Sequence, residues 1–187
     1  MVLGRGEKLS DLPEFKDAAS KSGFDNTRYL DYSADRKLMV VPEENVLASA
    51  GDPFPGQCAV VAVFAKGLYT VTAARPVDPE FDKRRDKQQY ELRVKRLDAE
   101  FDRRVKDLHE TAIGKGLWKG TAAARDRAEY WAAGVEAYFD AGAVSVPDSA
   151  DHPIGTRDAL RKYDPELFQL VEETMAYKGH VDWRVKR

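Results

Sequence analysis

A single lysine stands inside a long apolar stretch of this 187-residue chain. Residues 57–69 read QCAVVAVFAKGLY, and Lys66 is the one charged residue among them. An ammonium group that is buried without a partner is costly or loses its proton, so a carboxylate is expected opposite it. The fold must therefore bring an acidic side chain to Lys66.

The other residue types that do chemistry form no recognised catalytic pattern. The chain has no G-x-S-x-G nucleophile motif, no P-loop and no H-x-x-x-H pair. Cys58 is the only cysteine, which excludes an internal disulfide and a multi-thiolate zinc site. Its apolar neighbours are typical of an inert core thiol.

The three histidines are scattered along the chain. His109 falls in a charged segment, where we expect it to be exposed. His152 has Asp148 and Asp151 beside it, which leaves a metal site open as an alternative, although a polar loop explains this spacing better. His180 stands near the C-terminus, apart from both.

The composition limits the classes of function. A net charge of -2 predicts no general attraction to nucleic acid or to an anionic membrane. Apolar residues make up 43% and charged residues 33%, which fits one domain over residues 1–187 with a sizeable core. No apolar run reaches the roughly 20 residues of a membrane span, and the N-terminus lacks a secretory signal. We therefore expect a soluble, cytoplasmic protein.

The apolar stretch that carries Lys66 is ambiguous in secondary structure. A short strand, KLMVV (37–41), closed by Pro42, precedes it, followed by a loop-like segment at 43–56. The valines at positions 60, 61 and 63 favour a strand, whereas the length up to about Val71 suits a buried helix. Periodicity cannot decide, because nearly every position is apolar.

Helices dominate the rest of the chain. Residues 79–114 form a long amphipathic pattern in which DPEFDKRR (78–85) returns as DAEFDRRV (98–105), and this helix is expected to protrude. Thr121 is a candidate cap for a second helix that runs to about Ala141. Thr156 and Asp164 are candidate caps for the last two helices. We expect the second helix to have one apolar face, with Glu129, Ala133, Glu136 and Asp140 on the opposite side.

Several segments in this order resemble a known family. They are EENVLASAGDPFPG, the apolar stretch, DPEFD, GLWKGT, AEYWAAGVEAYFD, TRDALRKYDPELFQLVEE and a terminal tryptophan. They are similar to gluzincin-type zinc-metallopeptidase-like domains, which are distantly related to the catalytic domain of anthrax lethal factor. The resemblance covers nearly the whole chain. It implies an α+β, mainly helical, zincin-like domain with a small sheet, and it implies that 57–70 is a helix.

The same resemblance implies that the zinc site is lost. The family carries H-E-F-A-H on this helix, and here Ala62 stands at the first histidine, Val63 at the catalytic glutamate and Lys66 at the second histidine. The middle of the motif, 64–65, is kept, and Glu129 matches the third zinc ligand. Alanine offers no ligand atom and an ammonium repels a cation, so we expect neither a metal nor another cofactor.

Lys66 is then expected to face Glu129 across the former metal cleft, because positions 62 and 66 share one face of a helix. We expect these two residues to carry any catalysis, by a hydrogen bond from the ammonium and by confinement of a small, mostly apolar ligand with one carbonyl or carboxylate. A cyclisation or isomerisation, including a pericyclic one, needs no water activation. The residues expected to bind the substrate are Ala62, Val63, Phe64, Tyr130 and Trp131. Tyr163 is a further candidate, although packing at the start of the last helix explains it better.

Three alternatives remain open from the sequence. The domain could be a non-catalytic pseudopeptidase that binds a peptide or protein, with residues 79–114 as an arm for a partner or for self-association. The pair Lys66–Glu129 could be a structural ion pair in a vestigial cleft. A weaker alternative is a hydrolase with a displaced metal site that uses His152 and the nearby aspartates.

Overall fold

A computed structural model describes residues 1–16, 27–33, 36–73, 99–142 and 154–175. The strands in these ranges are β1 (Val2–Leu3), β2 (Leu30–Ser33) and β3 (Leu38–Pro42). The α-helices are α1 (Glu43–Val46), α2 (Ala59–Ala73), α3 (Ala99–Gly114), α4 (Arg127–Tyr138), α5 (Arg157–Tyr163) and α6 (Pro165–Met175), with short 3-10 helices at Leu9–Asp11, Pro13–Phe15 and Ala122–Ala124. The chain is thus α+β and mainly helical, as the sequence predicts.

The three strands form a small sheet in the order β1-β3-β2. β1 runs parallel to β3, with Val2 opposite Val41, and β2 runs antiparallel to β3, with Ser33 opposite Leu38. The strand predicted from KLMVV is confirmed, with bounds one residue later. The segment predicted as a loop at 43–56 instead begins with the single helical turn α1.

A buried asparagine of α1 places the start of α2. The side-chain amide of Asn45 donates to the backbone carbonyl of Gln57 at 2.7 Å, and its side-chain oxygen accepts from the backbone N–H of Ala59 at 2.8 Å. These bonds satisfy a first-turn N–H that has no intrahelical partner. They also tie the loop before α2 to the sheet that α1 follows.

The apolar stretch is the helix α2, as the family resemblance implies and in spite of its valines. α2 packs between α4 on one side and β2 and β3 on the other, so apolar side chains are needed on several faces. Val63 and Ala65 are completely buried. Burial on both sides outweighs the modest strand preference of valine. Gly67 lets β2 approach, since a Cβ there would lie 3.1 Å from Cβ of Tyr32.

α4 is a central helix rather than an amphipathic surface helix. It packs against α2, α3, α5 and α6, and every residue from Tyr130 to Tyr138 is buried. The prediction of a polar side for this helix is therefore wrong. The buried residues of α4 include Glu136. The cap is Asp126, whose Oδ1 accepts from the N–H of Glu129 at 2.9 Å, and Thr121 instead precedes a 3-10 helix.

The caps predicted for the last two helices are present. The hydroxyl of Thr156 accepts from the N–H of Ala159 at 3.2 Å, and Oδ1 of Asp164 accepts from the N–H of Leu167 at 3.1 Å. Both side chains satisfy first-turn N–H groups, which is why these residue types favour the position. The local sequence therefore predicts where α5 and α6 begin.

Asp164 also joins three elements in the core. It is 1% exposed, and its Oδ2 accepts from Nε1 of Trp118 at 2.9 Å and from the hydroxyl of Tyr130 at 2.8 Å. The prediction that Trp118 is a core residue is confirmed. Each buried polar atom of this group has a partner, as buried polar groups require.

The prediction that His109 is exposed is wrong. It is half-buried, with Nε2 3.1 Å from the carbonyl oxygen of Ala123 and its ring centroid 5.2 Å from that of Tyr130. His109 thus lies on the side of α3 that packs toward the core. The high charge content of this segment did not indicate that position.

Several predictions fall outside the described residues. They concern the helix over 79–98, the first copy of the repeat, the histidines at 152 and 180, and Trp183. Residues 99–114 are helical, as the second half of the predicted long helix requires. Among the described helices, none combines the length and the apolar composition needed to cross a bilayer.

Candidate functional site

Lys66 meets Glu129, the partner that the family resemblance implies. Its Nζ lies 2.9 Å from Oε1 of Glu129, and the two side chains are 15% and 18% exposed. The same Nζ lies 3.4 Å from Oδ2 of Asp31, which the sequence did not predict. A single ammonium is therefore held between two carboxylates, one from α4 and one from β2.

Two further contacts along the interface fix the register of α2 against α4. Nε1 of Trp131 donates to the carbonyl of Ala65 at 3.1 Å. Near the other end, the N–H of Cys58 donates to the carbonyl of Ala141 at 2.8 Å. The two helices are antiparallel along this interface. Lys66 therefore comes to the first turn of α4, where Glu129 lies.

The charge of Lys66 is secured by its neighbours. Burial lowers the pKa of this amine, but the hydrogen bond to Glu129 and the charge of Asp31 outweigh burial, so the pKa lies above its ordinary value. The group is an ammonium over the whole physiological range. Arg125 adds a second, exposed cation whose guanidinium lies 3.4 Å from Oε1 of Glu129.

Asp31 of β2 and Tyr29, which directly precedes the strand, form another side of the site. The hydroxyl of Tyr29 donates to Oδ1 of Asp31 at 2.7 Å. Burial raises the pKa of Tyr29, and the negative charges of Asp31, Glu129 and Glu136 raise it further. The phenol is therefore a hydrogen-bond donor that stays protonated. No sequence pattern marked β2 as a partner of α2, because this contact joins segments about 35 residues apart.

Glu136 is the most buried acid of the site. It is 2% exposed, and the side-chain amide of Gln57 donates to its Oε1 at 2.5 Å. Burial raises its pKa from an ordinary 4.5 to about 8, although the bond from Gln57 and the charge of Lys66 oppose the shift. The spacing from Glu129 is seven residues, or two helical turns, and this spacing was the available sign that both acids share one face.

We call Tyr29, Asp31, Gln57, Lys66, Glu129 and Glu136 the Lys66 cluster. It joins an ammonium, two contacting carboxylates, a buried acid, a phenol and an amide. Such a set can donate and accept hydrogen bonds, and it can transfer protons at more than one pKa.

The apolar residues predicted to line the cleft are placed differently from one another. Ala62 is 5% exposed, and Val63 is fully buried beside Val41 and Ala59. Phe64 is 51% exposed and lies on another face of α2 from Lys66. Ala62 and Val63, four and three residues before Lys66, lie on its side of the helix, and Phe64 does not.

The aromatic residues predicted to contact a substrate have other partners. Tyr130 and Trp131 are both fully buried, and their polar atoms bond to Asp164 and to the backbone of α2. Tyr163 accepts the N–H of Trp118 at 2.7 Å, and the two rings meet edge-on at 5.3 Å. In this arrangement the three aromatics serve core packing, and a ligand role for them stays a prediction.

The residues at the positions that the family resemblance assigns to the metal do not fit zinc. Ala62 and Val63 carry no ligand atom, and the ammonium of Lys66 already contacts the carboxylate that would bind the ion. Across the described ranges, no group of three or more His, Cys, Asp or Glu side chains is arranged to hold a metal. The displaced site at His152 lies outside those ranges.

A surface depression of about 290 Å³ lies elsewhere, between α3 and α6. Most of its lining residues are of polar or charged types, among them Arg104, Asp107, Glu166 and Glu173, and Leu108 and Leu170 complete it. The ion pair between Arg104 and Glu173, at 2.6 Å, belongs to this lining. None of its residues belongs to the Lys66 cluster.

No family model matches the chain, and no curated protein or solved structure is significantly similar to it. The likeness to zincin-type domains therefore stays a prediction from the quoted segments. The observed architecture is the coarser one, a mainly helical α+β chain with a three-stranded sheet among its described residues.

Proposed function

We propose that this protein binds a small, mostly apolar ligand at the Lys66 cluster and promotes its cyclisation or isomerisation without a metal. The observation that supports this is the ammonium of Lys66, held by Glu129 at 2.9 Å and Asp31 at 3.4 Å. Held on two sides, the donor has one defined position. Asp31 is 47% exposed, so the cluster reaches solvent on this side.

Lys66 would act as a hydrogen-bond donor to one oxygen of the ligand. An ammonium has three N–H donors, and among the described residues its contacts engage two of them. The remaining donor can bind a carbonyl oxygen and stabilise negative charge that develops there. A carbonyl suits the site better than a carboxylate, since two carboxylates already contact one ammonium.

A proton shift fits these groups without any further reagent. The carboxylate of Asp31 would take a proton from the carbon next to the carbonyl while Lys66 binds the oxygen of the resulting enolate. Return of that proton to another carbon forms the isomer, and no oxidant or reductant is consumed. For a cyclisation, the site would raise the rate by holding the reacting ends of the ligand close together.

The test uses matched small probes in D₂O. Cyclohex-2-enone and cyclohexene differ in one carbonyl, and NMR measures both their binding and the exchange of protons next to the carbonyl. We expect the protein to bind the enone and accelerate its exchange, whereas Lys66→Ala loses about 100-fold of that acceleration. Lys106→Ala is the matched control, because Lys106 contacts Glu110 at 3.8 Å on the surface of α3.

The Lys66→Ala protein is expected to stay folded, since both carboxylates that it leaves behind reach water. Lys66→Met keeps the apolar stem and serves as a second variant if alanine disturbs packing. Equal exchange in the Lys66→Ala and Lys106→Ala proteins would refute the proposed role.

A second candidate, a non-catalytic domain that binds a peptide or protein, is favoured by a different surface. Val60, Phe64 and Val71 are 37%, 51% and 47% exposed and lie on one face of α2. Peptides selected on the wild type should lose binding to a Phe64→Glu variant and keep binding to Lys66→Ala. Peptides that bind all three proteins equally would count against this candidate.

A further inference from the structure

The carboxylate of Asp31 is held by two different donors. The hydroxyl of Tyr29 donates to Oδ1 at 2.7 Å, whereas the ammonium of Lys66 lies 3.4 Å from Oδ2. The side chain of Asp31 is 47% exposed, so packing alone does not hold it in one orientation. Its orientation depends on these two contacts, and the phenol makes the shorter one.

Tyr29 can hold Asp31 because its own ring is held. The ring lies against that of Phe54, with the two centroids 5.0 Å apart and the planes inclined at 55°. Tilted aromatic pairs of this kind are favourable. Both rings pack on the same buried cluster, which consists of Val41, Ala59 and Val63. The phenol therefore presents its hydroxyl at one place beside the strand.

The loop before α2 fixes Phe54 in turn. The backbone N–H of Phe54 donates to Oδ1 of Asp52 at 2.8 Å, and its carbonyl accepts from the side-chain amide of Asn45 at 3.3 Å. Asn45 is 1% exposed, and its side-chain oxygen accepts from the first N–H of α2. The segment GDPFPG (51–56) thus supports the phenol that contacts Asp31.

We propose that Tyr29 is a positioning residue of the Lys66 cluster, whose hydroxyl fixes one oxygen of Asp31 and leaves the other beside the ammonium. A carbonyl oxygen bound by Lys66 brings the neighbouring carbon to the same place, so a base held there can reach its proton. Without the phenol, the carboxylate can turn into water or bring both oxygens to the ammonium. The effect on proton transfer rests on the proposed function, whereas the fixed carboxylate does not.

Tyr29→Phe removes the hydroxyl and keeps the ring against Phe54. With cyclohex-2-enone in D₂O, we expect the rate of carbon-proton exchange at saturation to fall about 10-fold, because the base is no longer held. The KM should change by less than about 2-fold, because Lys66 still binds the carbonyl. A rise in KM without a fall in the saturated rate would mean that the hydroxyl contacts the ligand, and it overturns the positioning role.

Tyr69→Phe is the matched control. The hydroxyl of Tyr69 also donates to an aspartate, Asp102, which does not belong to the Lys66 cluster. Its loss should leave both the saturated rate and the KM within about 2-fold of the wild type. Equal saturated rates in Tyr29→Phe and Tyr69→Phe overturn the positioning role.

A double substitution tests whether Tyr29 acts through Asp31. A positioning residue has no effect once its partner is gone, so Tyr29→Phe should change the residual exchange of Asp31→Ala by less than about 2-fold. A further loss of about 10-fold in that background would show that the hydroxyl acts independently of Asp31, and the proposal would fail.

The fixed carboxylate is also tested without a ligand, by NMR of the full chain with ¹³C-labelled tyrosine. The hydroxyl proton of Tyr29, assigned through bonds, should exchange with water more slowly in the wild type than in Asp31→Ala. Equal hydroxyl exchange in these two proteins overturns the proposal, whatever the enone experiment gives. Equal carbon-proton exchange of the enone in Lys66→Ala and Lys106→Ala overturns the proposed function instead.

Discussion

Replacing Glu136 by glutamine is expected to stabilise the protein, and to do so more strongly as the pH rises. The pKa of Glu136 is about 8 in the folded chain against an ordinary 4.5. Between these values the folded state binds a proton that the unfolded state has lost. Stability therefore falls as the pH rises from about 4.5 to about 8, and it is constant above that. Glutamine keeps the shape and has no proton to lose.

The size of the effect follows from the two pKa values. Each pH unit between them is worth about 1.4 kcal/mol of unfolding free energy. We compare the unfolding free energy of Glu136→Gln with that of the wild type at each pH. The advantage of the variant should be about 3 kcal/mol larger at pH 7, and about 5 kcal/mol larger at pH 9, than it is at pH 4. The amide oxygen of the new glutamine can still accept from Gln57, so the existing hydrogen bond is kept.

Urea unfolding of both proteins at pH 5, 7 and 9 measures this difference. We expect the two stability curves to diverge steadily with pH. Glu166→Gln, which removes an exposed acid paired with Lys115, should run parallel to the wild type over the same range. Parallel curves for Glu136→Gln and the wild type would show that Glu136 is ionised in the folded protein, and the reasoning would fail.

Two further substitutions test the core around α4. Asp164→Asn should cost about 2–4 kcal/mol in urea unfolding, because an amide NH₂ replaces an acceptor that faces two buried donors. Asp158→Asn, at an 82% exposed side chain, should change stability by less than about 0.5 kcal/mol. Gly134→Ala should cost about 1–3 kcal/mol, because the new Cβ would lie 2.7 Å from a methyl carbon of Leu167. Gly114→Ala, where nothing lies within 4 Å, should be neutral or stabilising, and equal losses at both glycines would contradict this packing.

Local chemistry made some features of this chain predictable. The caps Thr156 and Asp164 were readable because one side chain satisfies the N–H groups two or three residues later. The sequence also predicts that Lys66 needs a carboxylate partner, because burying an unpaired cation is costly. The choice of Glu129 came from the family resemblance, and the ion pair is present.

Other features depend on contacts between distant segments. The pattern placed Glu136 on a polar face, yet four helices cover α4, so the residue is buried. Asp31 joins the site because β2 packs on α2, a contact that no sequence spacing encodes. The local sequence predicts where helices begin and that Lys66 needs a carboxylate as its partner. Which acids surround that charge, and which of them keeps its proton, depends on how the helices and the sheet exclude water around them.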